Sequence, residues 1–243
     1  MKEILAALSN GEDEACLHLA FLKNNRCAVC KKSVDYNIPA TFLFRYISPD
    51  LYLTVDAIRR LRDLDLDKLL LRKKLRLVLD LDNTLVHGGF SVKLRPGVLD
   101  FLKKATELFD LTMYTMSKDN YAKEIAKILE SGLFRFSRVI AQAEFTKKGT
   151  KSLEFVLSHQ QVTLIVDDLA DNWATADQRN VIKIKRYEFF KDDGEAPPSN
   201  YHDDDQDLDR VWSILKNVHT RFFDQNNQNN VARRDVRQLL RIN

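Results

Sequence analysis

Between Leu75 and Tyr187, short apolar runs alternate with amphipathic stretches. LRLVLD precedes GVLDFLKKATELF, LTMYTM precedes KDNYAKEIAKILE, and RVIAQA precedes TKSLEFVLSHQ; VTLIVDD and NVIKIKRY follow. The short runs predict strands buried on both faces, and the stretches between them, apolar at every third or fourth position, predict helices. Alternation of this kind predicts crossover units, and so an α/β, Rossmann-like parallel sheet flanked by helices. Upstream, SPDLYLTVDAIRRLRDLDLDKLLL predicts one helix. In it Ser48 serves as cap, Pro49 takes the first turn, and Leu51, Val55, Ile58 and Leu61 share a face, with the charged side in water. Downstream, LDRVWSILKNVHTRFF predicts a helix with Leu208, Val211, Trp212, Leu215, Val218 and Phe222 turned inward. KDDGEAPPSNYHDDDQD reads as a loop, QNNQNN as a linker, and VARRDVRQLLRIN as a short basic helix.

This pattern divides the chain into an irregular Cys/His segment at 1–47, a main domain at 48–224, and a linker with a short terminal helix at 225–243. A length of 243 residues suits one substantial domain with a small appendage. Hydrophobic residues at 44% and charged residues at 30% are enough for a core and a solvated surface. The net charge of +3 is small and spread along the chain, so direct nucleic-acid binding is not expected. RKKLR at Arg72–Arg76 reads either as a nuclear address or as a solvated face. There is neither an apolar run of about 18 residues nor a signal-peptide pattern, so no membrane association is expected and the protein reads as intracellular.

The polar residues at the strand ends carry the chemistry. Asp80 and Asp82 follow a buried strand, and alternation points both the same way. Two such carboxylates repel, and a hard divalent cation such as magnesium is the usual way to hold them together beside a phosphate. Thr115 and Ser117 close the next strand with hydroxyls suited to phosphate oxygens, and VTLIVDD ends in a second acidic pair, Asp167 and Asp168. The lysine-rich TKKGTK lies between these strands. By contrast, Asp63, Asp65 and Asp67 fall in a helical pattern, where residues two apart face different sides, so no catalytic role is expected of them.

DLDNT at Asp80–Thr84 resembles the D-x-D-x-T nucleophile loop of the haloacid dehalogenase superfamily of phosphotransferases. VKLRPGVLDFLKKA, LTMYTMSKDNYAKEIAKIL, KSLEFVL and VTLIVDDLADNW resemble the phosphatases that act on the carboxy-terminal domain (CTD) of RNA polymerase II. RNVIKIKRYEFF and NVHTRFF…DVRQLL resemble their TFIIF-associating branch, the plant CTD-phosphatase-like proteins in particular. The similarity runs from about Cys16 to the end of the chain. It implies a magnesium-dependent protein-serine/threonine phosphatase, acting in the nucleus on phosphoserine in the polymerase tail. Asp80 would be the nucleophile and form an aspartyl-phosphate, Asp82 the general acid and base, Thr115 a phosphoryl ligand, and Lys151 the neutralising cation. Thr84, Ser117 and Lys148 would stand at the substrate. Magnesium would be held by Asp80, the Asp82 backbone carbonyl and Asp168, with Asp167 behind them.

Leu85–Asp110 and Ser117–Lys151 are too short and too occupied for a large cap, and an open site suits a phosphorylated protein segment. The chain stops after DVRQLLRIN, where the TFIIF-associating enzyme continues into a BRCT domain. Two alternatives stand beside this reading: a non-catalytic phosphatase-like scaffold, and a small-metabolite phosphatase on the same fold. All three cysteines lie in CLHLAFLKNNRCAVC. Cys16, His18, Cys27 and Cys30 read either as a zinc knuckle, with C-x-x-C at the right spacing, or as small buried residues beside an exposed histidine. The resemblance includes a similar Cys and His arrangement, which favours zinc.

Overall fold

The computed structural model describes residues 1–9, 16–34, 41–88, 91–130, 132, 134–142, 149–190, 203–224 and 234–241. The chain opens with helix α1 (Lys2–Leu8), then strands β1 (Ala20–Leu22), β2 (Thr41–Leu43) and β3 (Leu51–Thr54), which form a small antiparallel sheet in the order β1-β3-β2. Helix α2 (Val55–Leu71) follows. The single helix expected from Ser48 is therefore a strand and a shorter helix. The LYLT segment pairs with β1 on one side and β2 on the other, and satisfying both backbone edges outweighs the helical spacing of its apolar residues. Thr54 takes the capping role expected of Ser48, accepting the Ala57 N–H at 3.1 Å. Val55, expected inside, is exposed, and the small sheet crosses the boundary expected at 47/48.

The main sheet is five-stranded and wholly parallel. It is built from β4 (Leu75–Leu79), a hairpin β5 (Val86–Gly88) and β6 (Val92–Leu94) standing outside the sheet, α3 (Val98–Leu108), β7 (Phe109–Tyr114), α4 (Asp119–Glu130), β8 (Arg138–Ile140), β9 (Thr163–Asp167) and β10 (Val181–Lys183). The strand order is β10-β9-β4-β7-β8. Alternation along β4 explains its burial on both faces. Leu75, Leu77 and Leu79 join Phe101, Ile125 and Val166 in one core, while Val78 joins Tyr114, Ile165 and Trp173 in the other. Helix α5 (Asp207–Phe222) buries Leu208, Val211, Leu215, Val218 and Phe222 as the spacing predicts. Trp212 meets Phe101 edge-on at 6.4 Å. A short α6 (Val236–Leu240) ends the described chain.

Two further expectations are corrected. TKSLEFVLSHQ is not a helix; Leu153, Glu154, Phe155, Val156 and Leu157 form turns. The Asp177 carboxylate accepts the Leu153 N–H at 2.9 Å, and Leu157 sits at φ 53. Leu153 and Val156 pack with Trp173, whereas Phe155 and Leu157 pack into a core with Phe44 and Leu53 from the small sheet, so the segment is apolar because it is buried on two sides. Asp65, expected to face water, is buried against Arg76. Residues 191–202, the QNNQNN linker and Lys148 lie outside the described residues.

In this fold the chain leaves β4 toward β7 and β8, then crosses back to β9 on the other side of β4. The carboxyl ends of β4 and β9 thus flank a topological switch point, where open α/β sheets place their ligands. Between β4 and β7 the described residues hold only the hairpin and α3, with no cap domain among them.

Candidate active site

Asp80 directly follows β4, Asp167 ends β9, and Asp168 comes next. Their carboxylates converge, each offering an oxygen within 4.8 Å of the others. All three are buried. Lys151, only 1% exposed, donates through Nζ to Asp80 Oδ1 at 2.5 Å and to Asp167 Oδ2 at 2.7 Å. The lysine reaches this depth because its backbone bridges to the Asn172–Trp173 turn, where Lys151 N–H donates to Asn172 O at 2.8 Å. The Trp173 ring lies 5.4 Å from Nζ, and its Nε1–H donates to Asp167 Oδ2 at 2.8 Å. Asp167 Oδ1 accepts the Leu169 N–H at 2.8 Å. Asp167 is thus held by three donors.

The charges do not balance. Three buried carboxylates face one buried ammonium, with the half-exposed Arg186 reaching Asp168 Oδ2 at 3.0 Å from the rim. Burial, reinforced by Asp167 and Asp168 and opposed by Lys151, pushes the Asp80 carboxyl up to about 7. Burial, with Asp167 beside it, also raises Asp168. A dication among these oxygens would supply the missing positive charge, and an all-oxygen donor set suits magnesium. The residues present fit that ion.

The second aspartate of the loop goes elsewhere. Asp82 does not join the acidic cluster; its carboxylate turns toward the end of β7 and the start of α4. There Ser117 Oγ donates to Oδ2 at 2.5 Å, Thr115 Oγ1 to Oδ2 at 3.3 Å, and the Tyr121 hydroxyl to Oδ1 at 3.0 Å. Asn83, at φ 61, turns the chain directly after Asp82. Three hydroxyls fix the orientation of the Asp82 carboxylate. The two side chains expected to point the same way are therefore parted: the Asp80 carboxylate lies with Asp167 and Asp168, and the Asp82 carboxylate with the hydroxyls.

Thr84, expected at the substrate, is fully buried. Its hydroxyl accepts the Asp168 N–H at 3.3 Å and its carbonyl accepts Arg95 NH1 at 3.0 Å, so it ties the two acidic loops together. Arg95 is itself locked by a bidentate pair with Asp205 at 2.7 and 2.8 Å.

Three neighbours escaped the sequence reading: Tyr121, Arg186 and Trp173. Tyr121 carried one signal, its place in the first helical turns after Thr115 and Ser117. Burial first, then the Asp82 charge, raises Tyr121 above the ordinary tyrosine range and keeps it a donor. Gly88 makes room for it, since a Cβ there would stand 2.6 Å from the Tyr121 hydroxyl and 3.4 Å from Asp82 Oδ1.

A family model, the NLI interacting factor-like phosphatases, matches residues 75–225. The chain belongs to that family. Among curated relatives of this NLI interacting factor-like phosphatase, the RNA polymerase II C-terminal domain phosphatase-like 4 of Arabidopsis thaliana is 33% identical over 97% of this chain and 62% of its own. The RNA polymerase II C-terminal domain phosphatase-like 3 of the same plant is 30% identical over 64% of this chain and 14% of its own. The chain thus spans less than two thirds of either relative's length. A structure of the fission yeast RNA polymerase II CTD phosphatase Fcp1, a variant bound to beryllium fluoride, and a structure of Fcp1, an essential RNA polymerase II CTD phosphatase, share the fold, with a TM-score of 0.62 at 22–23% identity over 74% of this chain and 73% of theirs. The haloacid dehalogenase-like architecture read from DLDNT is the one observed. Among the described residues no helix is long and apolar enough to cross a membrane.

Proposed function

We propose that this chain is a magnesium-dependent protein-serine/threonine phosphatase that removes phosphate from the polymerase II C-terminal domain, in the nucleus, through an aspartyl-phosphate on Asp80. The observation that carries this reading is the division of labour between the two aspartates: one is held by a lysine inside an acidic cluster, the other by hydroxyls at its edge. Magnesium, bound by Asp80, the Asp82 carbonyl and Asp168, would supply the positive charge that lets a phosphomonoester dianion approach an anionic nucleophile.

The protein's own groups do the rest. Asp80 attacks phosphorus in line; the bond from phosphorus to the serine oxygen breaks, and Asp82 gives its proton to that oxygen. Asp82, now a carboxylate, takes a proton from water as the water oxygen attacks phosphorus. The bond to Asp80 breaks and inorganic phosphate leaves. Lys151 stays against Asp80 throughout and offsets the charge that develops there. Thr115 and Ser117 present their hydroxyls where phosphoryl oxygens would arrive, and Lys148 is proposed to meet the substrate with them.

The test compares initial rates of magnesium-dependent phosphate release from a serine-phosphorylated heptad peptide and from sugar phosphates. Peptide turnover that chelation abolishes supports the reading. Faster turnover of sugar phosphates favours a metabolite phosphatase, and no turnover of either favours a scaffold.

Tyr121→Phe removes one of the three donors to Asp82 and nothing else in the site. A hydrogen bond to a charged group contributes about 1.5–3 kcal/mol, so kcat should fall by roughly ten- to a hundredfold with KM little changed. Steady-state kinetics on the phosphopeptide checks this, and an unchanged kcat would remove Tyr121 from the account.

A further inference from the structure

The Cys/His cluster at the start of the chain is not used by the phosphatase chemistry, and it has the geometry of a metal centre. Cys16 Sγ and Cys27 Sγ lie 3.6 Å apart, and Cys30 Sγ and His18 Nδ1 lie 3.5 Å apart. All four atoms fall within 4.8 Å of one another. A tetrahedral zinc with Zn–S of about 2.3 Å and Zn–N of about 2.0–2.1 Å has S···S and S···N edges of roughly 3.8 and 3.6 Å. The two observed pairs match those edges. They do not match a disulfide, whose sulfurs stand about 2.05 Å apart.

The backbone supplies a second, independent observation. Cys27 N–H donates to Lys32 O at 3.0 Å and Ala28 N–H donates to Ala20 O at 2.8 Å, so the C-x-x-C turn is fixed against β1. A backbone held in this way preorganises the ligating side chains it carries, as a metal site requires. Two turns make this possible. Lys31, at φ 65, reverses the chain directly after Cys30, and its N–H donates to Cys27 O at 3.0 Å. His18, at φ 48, turns the other arm back toward the pair. The surrounding apolar cluster is small, with Phe21, Cys27 and Val34 at its centre, and the strands beside it are three or four residues long. A core of that size needs a staple.

The geometry assigns a structural zinc site to Cys16 Sγ, His18 Nδ1, Cys27 Sγ and Cys30 Sγ, which clamps the small N-terminal sheet. Three thiolates and a neutral imidazole close the coordination shell, leaving no open position for substrate, so the ion is structural. The clamp bears on the rest of the molecule through the core that joins Ala20, Ala28 and Leu53 to Phe155 and Leu157. There the Tyr46 hydroxyl donates to Phe155 O at 2.8 Å, on the segment that begins at Lys151. This inference does not depend on the phosphatase reading, since metal content is measured without substrate.

The test is elemental analysis of the full chain purified with zinc and without chelator, together with the visible spectrum after cobalt replacement. The expected result is about one zinc per chain, falling below about a tenth in Cys30→Ser, with the d–d bands of a tetrahedral thiolate site in the cobalt form. Cys30 is half-buried whereas Cys27 is fully buried, so Cys30→Ser disturbs packing least, and His18→Ala provides a second variant at a half-exposed position. Asp168→Asn separates the two metal centres and should leave the zinc in place. Any of three results would overturn the site: zinc-free wild type, zinc retained in both Cys30→Ser and His18→Ala, or a Cys16–Cys27 disulfide in the purified chain.

Discussion

Asp80→Asn is expected to abolish metal-dependent phosphate release from a phosphorylated heptad peptide, lowering kcat by at least about a thousandfold, the scale seen when a covalent nucleophile is removed. The amide keeps the shape of the side chain but is no nucleophile. The exchange also leaves the fold intact on physical grounds. Asp80 is one of three buried carboxylates around one lysine, so removing its charge relieves repulsion from Asp167 and Asp168 even as it weakens the Lys151 contact. A loss of rate with unchanged thermal unfolding places the defect in the chemistry. Activity within about tenfold of wild type would mean that another group accepts the phosphoryl.

Asp65→Ala is expected to destabilise the protein by about 3–5 kcal/mol in denaturant unfolding, although it lies far from any chemistry in the sequence reading. Asp65 Oδ1 accepts Arg76 NH2 at 2.5 Å and Arg138 NH2 at 3.3 Å. Arg76 also donates through NH1 to Asp110 Oδ1 at 2.6 Å and Ser137 Oγ at 2.7 Å. It is the second residue of β4, the strand that leads to Asp80, and is 2% exposed. Burial and the adjacent Arg138 already pull its guanidinium below the ordinary range. Without Asp65 the buried Arg76 and the partly exposed Arg138 would face each other with Asp110 beside them. The double change Asp65→Leu with Arg76→Leu should cost less than the sum of the two single changes, because it removes the buried charge and its partner together. A cost below about 1 kcal/mol for Asp65→Ala would show that solvent reaches the network.

The sequence made the sheet and the identity of its acidic ends legible, because both are local. LRLVLD and VTLIVDD alternate between two apolar faces and stop where the carboxylates begin, so strand burial and site position are written in the same few residues. What it hid depends on partners distant in the chain. LYLT has helical spacing, yet becomes a strand because β1 and β2 supply its edges. KSLEFVL has helical spacing, yet becomes a turn because two separate cores claim alternate residues and the Asp177 carboxylate holds Leu153. The pairing of Asp80 and Asp82 misled for a similar reason. Alternation holds only within a strand, and β4 ends at Leu79, so both aspartates lie beyond it and the second carboxylate meets Tyr121 and Ser117 instead. Asp65 looked solvated because its two arginine partners lie 11 and 73 positions away.

The central claim is that Asp80 carries the phosphoryl group, and trapping the intermediate tests it most directly. The chain is quenched in acid during turnover of the phosphopeptide with magnesium, reduced with borohydride, and mapped by mass spectrometry. An acyl phosphate is reduced to the alcohol, so the account predicts homoserine at position 80 and at no other aspartate. Homoserine at position 82, or none anywhere while the wild type turns over substrate, would contradict it.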